Sequence, residues 1–326
     1  MAGEGKHREG DTLAPMDGLE PVRCFELPLS EISGLGVRSR PGGVELVAVG
    51  DEEFAVVTAS VDRDGTLGDA DRHDLASALP EDITAGVGGS EFESVACDSA
   101  GTLLVLQEEP PRVLVINPLV DRLLQTINLV VEPTQALFGA AWAEDPNKRG
   151  EALVALQEGH LLVVKQRNPV VLIEFAPSAD PHPRGLTPDT LGPPVEFPVG
   201  EGEHDYLVVA TWELPAEPTL ESVNDAAVGE DGRLYVLSSN SERIARLGPV
   251  QPGEDSVPIE AAWDVDLSDR ANQPEPKDTQ KKKGHHKGGD RPHPEGLVLL
   301  EGLLPIIAID KKDPGPNVYV LESPGP

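Results

Sequence analysis

The sequence predicts an all-β fold assembled from a repeated four-stranded sheet. Three observations predict it. A phrase recurs in which a short apolar strand opens on a polar residue, turns through D-x-x-G or G-x-x-G and returns as L-x-V-L; its clearest copies are residues 92–106 and 223–237. Gly (33) and Pro (32) are spread along all 326 residues, which suits many tight turns and disfavours long helices. One such sheet cannot bury both of its faces, whereas sheets packed face to face in a ring can, and that is the logic of a β-propeller.

The elements follow in order. Residues 1–20 are charged, Gly-rich and aperiodic, and are expected to be a disordered tail. Residues 21–326 are expected to form a single propeller domain. It begins with a lone alternating strand at 22–27. Strands at 32–37, 44–49 and 54–61 make a first set, followed by an acidic loop at 61–74. Strands at 92–96, 102–107, 112–116 and 123–131 make a second, and 136–143, 152–157, 160–165 and 170–175 a third. Residues 195–198 and 206–213 give a weaker fourth, and 223–228, 233–237, 243–247 and 259–265 a fifth. The sixth, at 295–299, 305–309 and 317–321, has three strands, so the N-terminal strand is left to complete it and close the ring without open edges.

Inner-strand starts fall near 32, 93, 137, 223 and 295, and the long gap after 137 leaves room for two blades, which makes six. Within it, Pro181-His182-Pro183-Arg184 echoes Pro292-His293-Pro294-Glu295; this marks the missing strand start or is coincidence in a Pro-rich loop. Residues 271–292, with Lys277, Lys281, Lys282, Lys283 and Lys287, read as a mobile basic loop.

Composition excludes several functions. Lys+Arg 26 against Asp+Glu 57 gives a net charge of −31, which repels nucleic acid. Aromatics at 4% leave no base-stacking platform. No run approaches the ~18 apolar residues that span a membrane, and the first residues carry no apolar leader. Cys24 and Cys97 make no disulfide framework. A cytoplasmic, monomeric protein is expected. There is no G-x-S-x-G, H-E-x-x-H or Walker-type loop.

The segment 223–247, with Leu237-Ser238-Ser239-Asn240-Ser241-Glu242-Arg243, resembles the bacterial propeller family named for regulation by SdiA and its phytase-like or esterase-like relatives. Glu295-Gly296-Leu297 with Val318-Tyr319-Val320-Leu321-Glu322-Ser323-Pro324 is similar to their closing blade, and Glu93-Ser94-Val95-Ala96-Cys97-Asp98 is similar in the same way. The resemblance covers roughly 22–322. It implies a six-bladed fold, often calcium-bound, with phosphoesterase or esterase activity in some members. Blade one departs from it, opening on Ser33-Gly34-Leu35 where an acidic residue is expected.

The first residue of each inner strand points toward the axis at one mouth of a propeller. Alignment on the E-G-L phrase puts Ser33, Glu93, Gly139, Arg184, Asn224 and Glu295 there, with Asp225 adjoining. Converging carboxylates and an amide are hard oxygen donors that suit Ca²⁺. Glu93, Asn224 and Glu295 are the expected metal ligands, and Asp225 the residue that orients a water in catalysis. Ser33, Arg184, Lys165 and Arg167 are expected to bind a small polar or phosphorylated ligand. Asp62-Arg63-Asp64-Gly65 with Asp69, Asp71 and Asp74 is a partial EF-hand pattern, with Gly too early and the closing Glu missing. Two functions stay open: a calcium-dependent site for a small ligand, with hydrolytic chemistry as the resemblance implies, or a non-catalytic scaffold that docks a protein partner.

Overall fold

Every strand of a propeller blade sends alternate side chains to the two neighbouring blades, so the hydrophobic residues must form one cluster per interface. A computed structural model describes residues 16–84, 89–135, 137–145, 148–192, 195–215, 220–267 and 293–324. Two short strands come first, β1 (Met16–Leu19) and β2 (Pro21–Phe25). Blade 1 is β3 (Ile32–Arg40), β4 (Gly43–Gly50), β5 (Ala55–Val61) and β6 (Leu67–Asp74). Blade 2 is β7 (Phe92–Cys97), β8 (Leu103–Gln107), β9 (Arg112–Ile116) and β10 (Leu123–Val130). Blade 3 is β11 (Gly150–Ala155), β12 (Leu161–Lys165), β13 (Val171–Pro177) and β14 (Gly202–Glu213). Blade 4 is β15 (Asp225–Val228), β16 (Leu234–Ser238), β17 (Arg243–Leu247) and β18 (Ile259–Val265). Blade 5 is β19 (His293–Leu300), β20 (Leu304–Asp310) and β21 (Val318–Leu321), completed by β2.

The innermost strands neighbour one another in the closed order β3, β7, β11, β15, β19 and back to β3. The cores follow that ring. Val49 and Phe92 belong to the cluster between blades 1 and 2, and Leu106 and Phe175 to that between 2 and 3. Trp212 and Val236 lie between blades 3 and 4, Tyr235 and Tyr319 between 4 and 5, and Ile306 and Leu46 between 5 and 1. The alternation is visible on β8: Leu103 and Val105 face blade 1 while Leu104 and Leu106 face blade 3. Outside the ring, β10 pairs in parallel with β14, which joins blades 2 and 3 into one eight-stranded sheet.

The propeller and its closure by an N-terminal strand are as expected, with Cys24 opposite Tyr319 and Phe25 opposite Val318. The number of blades among the described residues is five, where spacing led to six. Residues 136–143, expected as a strand, instead include the helix α2 (Gly139–Glu144; the one-turn α1 is Glu81–Thr84), whose Trp142 packs on Phe138 and Phe175. The rest of the long gap goes into the connection 178–201 and the 12-residue β14, so the echo at Pro181-His182-Pro183 lies in a loop. Two smaller expectations also change. Residues 16–19 of the presumed tail pair with β18. The presumed acidic loop contains β6, where Asp69, Asp71 and Asp74 charge an outer edge strand and discourage edge-to-edge association. Residues 1–15 and all of the basic loop 271–292 lie outside the described residues. No helix among the described residues is long and apolar enough to cross a membrane.

Closure is tied by one side chain. Buried Asn317 accepts from the Leu27 N–H at 2.8 Å and donates to the carbonyls of Leu27 and Leu29 at 3.1 and 3.0 Å. Asn317→Ala takes this partner from the buried Leu27 N–H and Leu29 carbonyl, while the Leu27 carbonyl keeps the Leu29 N–H, and is expected to lower unfolding free energy by about 2 kcal/mol, read by urea denaturation.

Candidate functional site

At one end of the ring the inner strands carry Ser33, Glu93, Glu151 and Glu295, with Asn224 just before β15. Four of these five are bulge residues. Pairing runs from Ile32 to Gly34, from Phe92 to Ser94, from Gly150 to Ala152 and from Pro294 to Gly296, and each time the skipped residue is the polar one. A bulge removes a side chain from the regular two-face alternation and re-aims it, so the mouth is lined by a repeated backbone device.

One residue deeper the strands close on each other. A Cβ on Gly34 would stand 2.5 Å from Ser94 Cα, and one on Gly296 2.7 Å from Leu35 Cγ, which explains the glycines after Ser33 and Glu295. Asp225, fully buried, knots this level. Its Oδ1 accepts from Ser94 Oγ at 3.0 Å and from the Ala226 N–H at 2.9 Å. Its Oδ2 accepts from the N–H groups of Leu297 at 2.7 Å and Leu35 at 3.3 Å. Ser94 Oγ in turn accepts from the Leu153 N–H at 3.1 Å. Two side chains thus take one backbone N–H from each of four inner strands, and Ser94 itself ties in the fifth, β7. Burial outweighs these donors and lifts the Asp225 carboxyl to about 8.

Above this belt the mouth is acidic. The Glu91, Glu93 and Glu108 carboxylates offer oxygens that all lie within 4.8 Å of one another. Burial, then Glu108, Asp51, Glu295 and Glu91, hold the Glu93 carboxyl well above the ordinary range. Burial, then Glu93, Glu108 and Glu295, do the same to Glu151. Glu295 is pushed to about 8 by burial, Asp310, Asp51 and Glu31. Burial lifts Glu108 to about 7, against a hydrogen bond from the Arg149 N–H of 2.8 Å. Asp51 rises to about 6 by burial and Asp310, and Glu31 to about 7 by burial and Glu52, although Lys312 bridges Glu31 and Glu52. Two buried carboxylate oxygens here, Glu31 Oε2 and Asp51 Oδ1, have no hydrogen-bond partner among the described residues. Glu31 and Glu91 stand two residues before Ser33 and Glu93 with φ of 47° and 53°, a left-handed conformation that costs a non-glycine residue about 1 kcal/mol.

Blade 3 supplies the opposite charge. Buried Lys165 ends β12, donates to the Arg167 carbonyl and has its pKa lowered by burial against the attraction of Asp145 and Glu108. Arg167 is a favourable charged neighbour of Glu151, and its Nε is buried with no hydrogen-bond partner among the described residues.

The expected residues therefore separate. Glu93, Glu295, Lys165 and Arg167 share this mouth, and Ser33, with its Oγ donating to the Glu31 carbonyl at 3.4 Å, borders it. Asn224 is at the same level, but its Oδ1 already accepts from Ser222 Oγ at 2.9 Å and the Ser239 N–H at 3.0 Å. Asp225 lies behind the mouth in the belt. Arg184 is elsewhere: it pairs with Asp180 and with Glu158, in the turn at the far end of β11, and its N–H helps hold the buried Glu174–His160 pair. The partial EF-hand pattern makes a turn that holds Asp62 and in which Asp64 pairs with Arg23, while Asp69, Asp71 and Asp74 are spread along β6. Sequence reasoning missed Glu151, although Glu151-Ala152-Leu153 repeats the E-G-L phrase. It also missed Glu31, Asp51, Glu91 and Glu108, which sit in turns without period.

Fold and mouth together define a β-propeller with an acid-lined axial opening. No family model matches the chain, and no curated protein does. Among solved structures, it is similar to glutaminyl cyclase from Myxococcus xanthus, at 12% identity over 95% of this chain and 98% of that one, with a TM-score of 0.50. It also resembles the aldose sugar dehydrogenase of Streptomyces coelicolor (12%, 95% and 99%, TM-score 0.47). Virginiamycin B lyase of Staphylococcus aureus is a further match (9%, 93% and 74%, TM-score 0.40). At 12% identity the likeness to the glutaminyl cyclase bears on the fold alone.

Proposed function

We propose that the acidic mouth binds a divalent cation, calcium by its donor set, and through it a small polar or phosphorylated ligand. The observation that carries this is the trio Glu91, Glu93 and Glu108 converging within 4.8 Å, beside Glu31 Oε2 and Asp51 Oδ1, which have no hydrogen-bond partner among the described residues. Hard carboxylate oxygens in this number suit calcium, which takes 6–8 of them. This set replaces Asn224, whose amide oxygen is engaged, with Glu91 and Glu108, and leaves Glu295 as a neighbouring charge. A bound cation would supply an electrophilic contact for a phosphoryl or carbonyl oxygen. Lys165 and Arg167, on the blade 3 side, would meet the remaining anionic oxygens. The proposal stops at binding: Asp225 already accepts four hydrogen bonds from the protein, and no residue of the mouth is assigned a proton transfer. In this reading the chain shares calcium binding with the SdiA-regulated and phytase-like propellers it resembles.

The test is thermal melting with and without calcium. Millimolar calcium is expected to raise the Tm of the wild-type protein by several degrees, corresponding to ~2–3 kcal/mol at about 100 Kd. Glu91→Gln with Glu93→Gln is expected to abolish the rise. Arg167→Gln is expected to keep the rise and to weaken calcium-dependent binding of inorganic phosphate. A wild-type Tm indifferent to calcium contradicts the proposal.

A further inference from the structure

The axial channel has a second compartment on the other side of the Asp225–Ser94 belt. Here the ring encloses a cavity of about 600 Å³. Its wall is made by residues that follow the belt on every inner strand, among them Val37, Val95, Leu153, Val228 and Leu299. Each inner strand is the terminal strand of its sheet, so its unpaired backbone edge also faces this space. The wall is therefore apolar side chain interrupted by peptide groups, and the Cys97 thiol within it is held protonated by burial, with a pKa near 12. The outer rim carries the turn Gly229-Glu230-Asp231-Gly232, in which Glu230 and Asp231 are exposed. Asp231 is held in place, accepting from Tyr235 Oη at 3.0 Å and from the Arg233 N–H at 3.1 Å.

We propose that this well is a separate binding site for a small, mainly apolar molecule that carries one ammonium group. The volume lies within the ~300–1,000 Å³ of small-molecule sites, and burial of an apolar body supplies the affinity. The belt closes the inner end, so the charged group stays at the rim. There Glu230 and Asp231 favour a cation and repel an anion, and the net charge of −31 acts in the same direction. Nothing in this inference depends on a metal at the opposite mouth.

Three probes of matched size test it against the full-length chain: hexylamine, 1-hexanol and hexanoate, measured by saturation-transfer NMR and titration calorimetry. Hexylamine is expected to bind tightest and hexanoate weakest. Ala155→Leu with Ala227→Leu places methyl groups in the cavity and is expected to weaken hexylamine about tenfold or more. Glu230→Gln with Asp231→Asn changes only exposed side chains. It is expected to weaken hexylamine about two- to fivefold and leave hexanol unchanged, and it carries the test alone if the cavity variant does not fold. Saturating calcium is expected to leave hexylamine binding intact. Equal affinity for the three probes overturns the proposal. So does undiminished hexylamine binding by a cavity-filled variant that melts like the wild type.

Discussion

Asp225→Ala is expected to be the most damaging single substitution in the chain. Its carboxylate accepts from Leu35 on blade 1, Ser94 on blade 2, Leu297 on blade 5 and Ala226 on its own strand. Removal leaves four donors buried at the axis without their acceptor. At about 1–3 kcal/mol for each orphaned group, the loss is ~4 kcal/mol or more, a large part of the ~5–15 kcal/mol that holds a domain together. Asp225→Asn keeps the shape and one acceptor oxygen, and mimics the neutral acid that burial favours, so about half that loss is expected. Ser94→Ala should behave like the milder change, since it orphans the Leu153 N–H and withdraws one donor from Asp225. Urea denaturation of the three variants measures this. An Asp225→Ala protein within about 1 kcal/mol of the wild type would show that the belt does not hold the ring.

The second large effect is a fall in stability as pH rises in the absence of divalent cations. Asp51 is lifted to about 6, Glu31 and Glu108 to about 7, and Glu295 and Asp225 to about 8, each first by burial; Glu93 and Glu151 lie higher than the ordinary range. Unfolded, these groups titrate near 4. Between about pH 4.5 and 8 the folded chain therefore binds more protons than the unfolded chain, and the linkage slope is negative. The stabilisation is complete below the unfolded values and is lost as pH rises through the folded ones. The Lys312 bridge to Glu31 and Glu52 opposes the trend only at the rim. A loss on the order of a few kcal/mol is expected between pH 5 and 8, seen as a Tm lower by several degrees. Millimolar calcium is expected to flatten the dependence, because a cation replaces the protons that hold the carboxylates together. A Tm that rises from pH 5 to pH 8 without calcium would contradict the electrostatic account.

The architecture was legible because period-2 alternation and turn chemistry are local. The strand–turn–strand phrase at 92–106 lies where β7 and β8 form, and the unpaired third strand of the last blade correctly required β2. The blade count was not legible. Residues 136–143 have strand-like apolar content, but α2 begins at Gly139, so Gly139 stood in for Glu151 and the true third inner strand was read as its blade's second. Within the mouth, Glu93 and Glu295 could be found because a small residue follows each, as close approach of the inner strands demands. Glu31, Asp51, Glu91 and Glu108 flank strands in irregular backbone, where no periodicity marks them. The place of Asp225 depends on contacts to residues 72 to 190 positions away, which no local pattern encodes.

The most direct measurement of the central claim is a calcium titration at pH 7 that records both heat and protons released. The proposed mouth predicts one ion per chain and an accompanying release of protons, since the carboxylates lifted to neutrality and above must give them up to coordinate it. Glu91→Gln, Glu93→Gln and Glu108→Gln together should remove both signals while the protein stays folded. No binding at millimolar calcium, or binding that persists in the triple variant, would contradict the account.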